Sequence, residues 1–235
     1  GGLALANIVV LAVAFAQTTT GLGFAMIAVP LLARIDLALV PGPSLLVSLA
    51  LTVAMAAGGR RVIVRREILT MVPGLLAGTV ADAALLSWVA GPALGVPIAL
   101  LVLAAVAASL GLPPIALSTP ALVGCGFASG LVGTVSGIHG PPLVVLYQRQ
   151  PIEKARATIA LVFTIAFAAS LAALIATGRL DARGAVLGVA LLPGLAAGHL
   201  AARRIGRTID VATLRVGMIT LASASAVLLL IRSLA

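Results

Sequence analysis

The sequence predicts an all-α integral membrane protein built from two inverted repeats, each a broken or re-entrant hairpin element followed by three transmembrane helices. Composition is the first reason. Of 235 residues, 62% are hydrophobic and 9% charged, with a mean hydropathy of +1.26, where a soluble domain is near half apolar and about a quarter charged. Length is the second: at roughly 20 apolar residues per span, the chain supplies about six to eight crossings in a single membrane domain. That domain takes up residues 1–235 and leaves no room for another. Internal repetition is the third.

In chain order, hydropathy places apolar helices near 44–57, 68–90, 94–112, 157–177, 184–202 and 211–231. Two further apolar stretches, 3–33 and 119–148, are too long for one straight span. The first is interrupted by Gln17-Thr18-Thr19-Thr20-Gly21-Leu22-Gly23, the second by Gly133-Thr134-Val135-Ser136-Gly137-Ile138-His139-Gly140-Pro141-Pro142. Glycine tolerates unwound backbone and proline lacks an amide hydrogen, so such clusters do not belong in a continuous lipid-facing helix. As helices, residues 3–16 cover about 21 Å and 24–33 about 15 Å. Both lengths bring a hairpin tip near mid-membrane, where tips arriving from opposite sides are expected to meet.

Val72-Pro73-Gly74-Leu75-Leu76-Ala77-Gly78 recurs as Leu192-Pro193-Gly194-Leu195-Ala196-Ala197-Gly198, an offset of 120. Thr20-Gly21-Leu22-Gly23 aligns with Ser136-Gly137-Ile138-His139 at 116. Repeat 1 therefore covers about 1–115 and repeat 2 about 116–235. The small-residue spacing of the Pro-Gly helices suits close helix packing.

Positive charge orients the halves. If both interrupted segments cross fully, giving eight full spans, Arg60, Arg61, Arg65, Arg66, Arg179, Arg183 and Arg232 face one side and the remaining eight basic residues the other. That division violates the tendency of basic residues to stay cytoplasmic. If each segment instead dips in and returns, one face collects Arg60, Arg61, Arg65, Arg66, Arg149, Lys154, Arg156, Arg203, Arg204, Arg207 and Arg215, 11 of the 15. Arg34, Arg179, Arg183 and Arg232 remain opposite. This favours six spans plus two re-entrant hairpins, hence inverted halves. The eight-span alternative stays open because 111–120 carries no charge.

A break at membrane depth lines a cavity or is satisfied by neighbouring helices. Here both breaks carry polar groups, and a helix restarting after a break points free amide hydrogens at the gap, which suits an anion. The candidate binding residues are Gln17, Thr18, Thr19, Thr20, Gly21 and Gly23 in the first break, and Thr134, Ser136, Gly137, His139 and Gly140 in the second. His139 is also the proton-coupling candidate, since its charge changes near neutrality; its structural alternative is a hydrogen bond to a carbonyl. Serine and threonine hydroxyls can likewise satisfy helix carbonyls. Neither break contains Arg or Lys, so the anion is expected to be held without a fixed cation inside the bundle. Asp82 and His199 are ionisable residues within spans and therefore further candidates.

Other classes recede. The net charge of +9 would suggest nucleic acid in a soluble protein, but the basic residues sit between apolar runs, only 3% of residues are aromatic, and no nucleic-acid motif occurs. Cys125 is the lone cysteine, which rules out an internal disulfide and disfavours structural zinc. The N-terminus lacks signal-peptide features, so insertion is expected from the spans themselves. An intramembrane enzyme pairing His139 with Ser136, or His199 with Asp82, lacks an HExxH or GxSxG motif, and no GxxxxGK[ST] signature supports ATP drive. No metal or cofactor is expected. A secondary carrier, with a passive anion channel as the alternative, remains.

At these residues the chain resembles the sulfite exporter TauE/SafE family. The resemblance rests on Gln17-Thr18-Thr19-Thr20-Gly21-Leu22-Gly23-Phe24-Ala25 with Val29-Pro30-Leu31-Leu32, and on Gly130 to Gly133 leading to Ser136-Gly137-Ile138-His139-Gly140-Pro141-Pro142-Leu143. Phe24-Ala25 departs from the commoner Gly-Gly-Gly form of the first signature. The resemblance implies export or uptake of small anions, typically sulfite, sulfonates or related sulfur-containing acids, across the bacterial cytoplasmic membrane. It leaves the anion, the coupling ion and any oligomeric partner unspecified.

Overall fold

A computed structural model describes residues 1–21, 24–86, 115–136, 139–147 and 149–206, with isolated positions 100, 103, 107, 220, 224, 227 and 231; at 134–136 the description is of backbone alone. Its helices are α1 (Gly2–Thr20), α2 (Phe24–Ile35), α3 (Gly42–Gly58), α4 (Arg65–Leu86), α5 (Thr119–Ser136), α6 (Gly140–Tyr147), α7 (Ile152–Ala176), α8 (Ala182–Ala190) and α9 (Leu192–Ile205), plus a 3-10 turn at Leu37–Leu39. Among the described residues all regular structure is helical. Five stretches are long and apolar enough to cross a membrane: Gly2–Thr20, Leu37–Gly58, Arg65–Ala84, Ile152–Ala176 and Ala182–Ile205. Leu69 is 73% and Val80 69% exposed, as a lipid-facing surface requires. The helices expected at 94–112 and 211–231 lie outside the described residues apart from the isolated positions.

Both breaks are shorter than hydropathy suggests. Helix α1 runs on to Thr20, with Thr19 and Thr20 donating their hydroxyls to the Phe15 and Ala16 carbonyls at 2.9 Å, so these polar side chains are satisfied within the helix itself. Likewise α5 reaches Ser136 and α6 restarts at Gly140. At the far end of α2, a Cβ built on Gly2 would lie 3.7 Å from Ile35, so the first hairpin returns to the end where it began.

The two sequence offsets recur in packing. A Cβ at Gly194 would strike the Asn7 carbonyl and one at Gly198 the Leu11 carbonyl; at Gly74 and Gly78 it would strike those of Val123 and Phe127. Shifting Asn7 and Leu11 by 116 gives Val123 and Phe127, while shifting Gly74 and Gly78 by 120 gives Gly194 and Gly198. Each broken helix thus packs, in parallel, on the Pro-Gly helix of the other half, and only glycine permits the approach. The corresponding helices α3 and α7 run antiparallel, with Gly42 against Leu180 and Gly59 against Ala157.

Asn7 was not distinguished by sequence, yet it repairs the kink between α8 and α9. Its Nδ2 donates to the Ala190 carbonyl at 3.0 Å, and its Oδ1 accepts from the Gly194 amide at 2.9 Å. These are the groups that a continuous helix would pair with one another.

Candidate functional site

Helix α1 ends on Gly21, whose φ of 88° is left-handed and whose amide donates to the Gln17 carbonyl at 2.6 Å. Glycine takes this cap without steric cost. A Cβ there would also press on Arg156 Cγ at 2.9 Å. Arg156 lies in the second turn of α7, and its Nη2 donates to the Thr19 carbonyl. The helix leaves its last carbonyls without internal partners, and a cation complements that end of the dipole. The Arg156 Nε is buried without a hydrogen-bond partner among the described residues. Such an unmet donor costs on the order of 1–3 kcal/mol, which a bound acceptor would relieve.

A cavity of about 1190 Å³ opens beside this tip. Thr18 and Thr19 line it from α1, Arg60 and Arg61 from the α3–α4 link, Glu153 and Arg156 from α7, and His199 and Arg203 from α9. Among the described lining residues, four guanidiniums against one carboxylate focus a positive potential into the opening. Thr18 Oγ1 and His199 Nδ1 lie 2.9 Å apart in a hydrogen bond. The ends of α1, α3 and α9 and the start of α7 therefore meet at one basic face.

The second tip is different. His139 is 1% exposed. Its Nδ1 donates to the Ser129 carbonyl at 3.0 Å, its own carbonyl accepts from Ser129 Oγ at 2.6 Å, and its Nε2 lies 3.3 Å from Ser170 Oγ. Phe167 meets the ring edge-on at 4.9 Å between centroids, and a Cβ at Gly133 would fall on the imidazole. Both ring nitrogens are engaged by the protein. Beyond this tip, Tyr147 donates to Glu67 Oε2 and Lys154 to Glu67 Oε1, each at 2.8 Å, tying the returning α6 to α4 and α7.

These contacts correct two expectations. Gly21 packs on Arg156 and His139 on Ser170, which are 14 residues apart on α7, or about 21 Å along its axis. The described ends of the tips do not meet at mid-membrane, because 19 residues in α1 carry the first tip about 28 Å from its start. Nor is the first tip free of a fixed cation, since α7 supplies Arg156. No periodicity in the sequence signals that contact; Arg156 reads there as one more loop charge.

Of the candidate residues, Thr18 and Thr19 reach the cavity and Gln17, 2% exposed, is buried beside Gly21. Thr20 donates into its own helix, as does Thr19. His139 and Gly140 stand at the second tip. Gly23 and Gly137 lie outside the described residues, as do the side chains of Thr134 and Ser136. Asp82 is buried in α4, away from the cavity lining, while His199 lies on it.

The model of a family described as sulfite exporter TauE/SafE matches residues 6–229. No curated protein and no solved structure matches the chain.

Proposed function

The chain belongs to the sulfite exporter TauE/SafE family, and from that premise we propose that it is a secondary carrier exporting small sulfur-containing anions, such as sulfite or organosulfonates, across the bacterial inner membrane. Membership makes it a multi-pass membrane protein of a transporter family. The observation that carries the site is the cavity at the end of α1, where Thr18 and His199 share a hydrogen bond within a ring of arginines. By the positive-inside tendency this basic face is cytoplasmic, so the cavity is the loading side of an exporter.

In the same proposal the architecture is two inverted units with six spans and two re-entrant hairpins. The exchanged helix pairs and the antiparallel α3 and α7 support it. The anion sits against the first tip, among Thr18, Gly21, Gly23 and the first amides of α2, with Gln17, Thr19 and Thr20 shaping the helix end. The second tip, with Thr134, Ser136, Gly137, His139 and Gly140, is the closed exit. When it opens, the nitrogens of His139 are released, and the imidazole is then free to exchange a proton with the transported anion. Alternation between the ends follows the logic of inverted-repeat carriers.

The test is flux into proteoliposomes of sulfite, sulfoacetate, taurine, thiosulfate and acetate, with and without a pH gradient. Saturable, gradient-sensitive flux of the sulfur anions is expected. Linear, gradient-insensitive flux means a channel, and no flux of any of them sinks the proposal.

A further inference from the structure

We infer that Arg156 is the residue that recognises the oxyanion head of the substrate, and that it does so with the same guanidinium that holds the first hairpin tip. The inference rests on the carrier reading above for what the ligand is, and on contacts for where it binds.

The four cavity arginines are not equivalent. Arg60, Arg61 and Arg203 are exposed, and Arg60 Nε donates to the Ala57 carbonyl at 3.1 Å, at the end of α3. Exposed charges of this kind steer an ion but are screened by salt over roughly 8–10 Å. Arg156 alone among them is half-buried and lies against backbone at the tip. Its Nη2 is committed to the Thr19 carbonyl, while its Nε has no partner among the described residues.

A guanidinium offers five N–H donors in one plane. Spending one on Thr19 fixes that plane, and the remaining donors then present a preset fork. Paired acceptor oxygens on one centre, as in a sulfite or sulfonate head, match such a fork. Thr18 and His199, on the same cavity wall, supply neutral hydrogen-bonding groups for a third oxygen. Glu153, the only carboxylate among the described lining residues, lies one turn earlier on α7 and is exposed; it leaves the positive balance of the wall intact. Substrate binding therefore completes the hydrogen bonding of the residue that anchors α1, so occupancy and tip position are linked.

The experiment compares wild type, Arg156→Gln, Arg156→Lys and Arg203→Gln in proteoliposomes, with sulfite and sulfoacetate as substrates. Arg156→Gln should raise KM by about 10- to 100-fold, the loss expected of a hydrogen bond to a charged group. Arg156→Lys keeps the charge without the fork and should recover only part of that loss. Arg203→Gln should change KM by less than about threefold, an effect that fades as salt rises. A wild-type KM in Arg156→Gln with a reduced maximal rate would show a structural support only and overturn the inference, as would equal KM changes in the two Gln variants.

A second readout is independent of transport. Gly58 lines the cavity with open space around it, so Gly58→Cys in a Cys125→Ala background can be labelled with a maleimide. Sulfoacetate, which does not add to a maleimide as sulfite does, should slow labelling when Arg156 is present and not in Arg156→Gln or, at the same concentration, only weakly in Arg156→Lys. Protection without flux in the parent defeats the carrier reading and leaves the Arg156 assignment standing. Equal protection with and without Arg156 defeats the assignment alone.

Discussion

The two hairpin tips, 116 residues apart in the sequence, finish in opposite ways. The second is filled by an imidazole bonded to Ser129 and Ser170 above Gly133. At an offset of 116 these positions become Gly23, Val13, Ala54 and Gln17 in the first half. The first half thus has a side chain where the second has Gly133, and none where the second has His139. Val13 is buried, and Ala54 lines the cavity. What the comparison teaches is that the backbone plan does not decide which end is open. The residues at four positions do, by supplying a polar latch at one tip and omitting it at the other.

The strongest way to break this comparison is to impose the first pattern on the second. Gly133→Gln alone puts a side chain into the imidazole, and overpacking of this kind should cost about 3 kcal/mol. Adding His139→Gly removes the obstruction, and the pair should recover at least half of the loss. Denaturant titration in detergent reads both, and the double-mutant cycle isolates the coupling. If the double variant is no more stable than Gly133→Gln, the two tips do not exchange side-chain volume in the way described.

Next in size is the latch itself. Ser129→Ala removes the donor to a buried carbonyl and should cost about 1–3 kcal/mol. Ser170→Ala loses a longer contact and should cost about 1 kcal/mol or less. Equal stabilities for the two variants and the parent would remove the latch as a structural device.

Much of this was legible in the sequence. Composition established the membrane class, and the two offsets pick out glycines that meet carbonyls in matching pairs. The charge distribution anticipated that Arg60, Arg61, Arg156 and Arg203 would share one face, which is where they line the cavity. Tip depth was not legible, because hydropathy marks Gln17 to Thr20 as polar and is blind to hydroxyls that donate back into the helix. Nor was Arg156 legible at the tip, since contact between residues 137 positions apart leaves no periodic trace. The bonds that engage His139 were hidden for the same reason: its partners Ser129 and Ser170 come from α5 and α7, and no local spacing links them.

The smallest expected effect sharpens the comparison at the returning limbs. The first hairpin comes back to Asp36, which bonds only locally among the described contacts, its Oδ1 accepting from the Ala38 amide at 2.8 Å. The second comes back to Tyr147, which is 2% exposed and bonded to Glu67. Tyr147→Phe keeps the packing and deletes one hydrogen bond to a carboxylate, for a loss of about 1.5 kcal/mol. Lys154→Met removes the ionic partner of Glu67, whose pair is partly exposed at 25% and 15%, so the loss should be only about 0.5 kcal/mol. The two are told apart by salt: raising ionic strength should shrink the Lys154→Met difference and leave that of Tyr147→Phe unchanged. A salt-insensitive Lys154→Met effect larger than that of Tyr147→Phe would mean that the ion pair, rather than the phenol, fastens the second hairpin to α4.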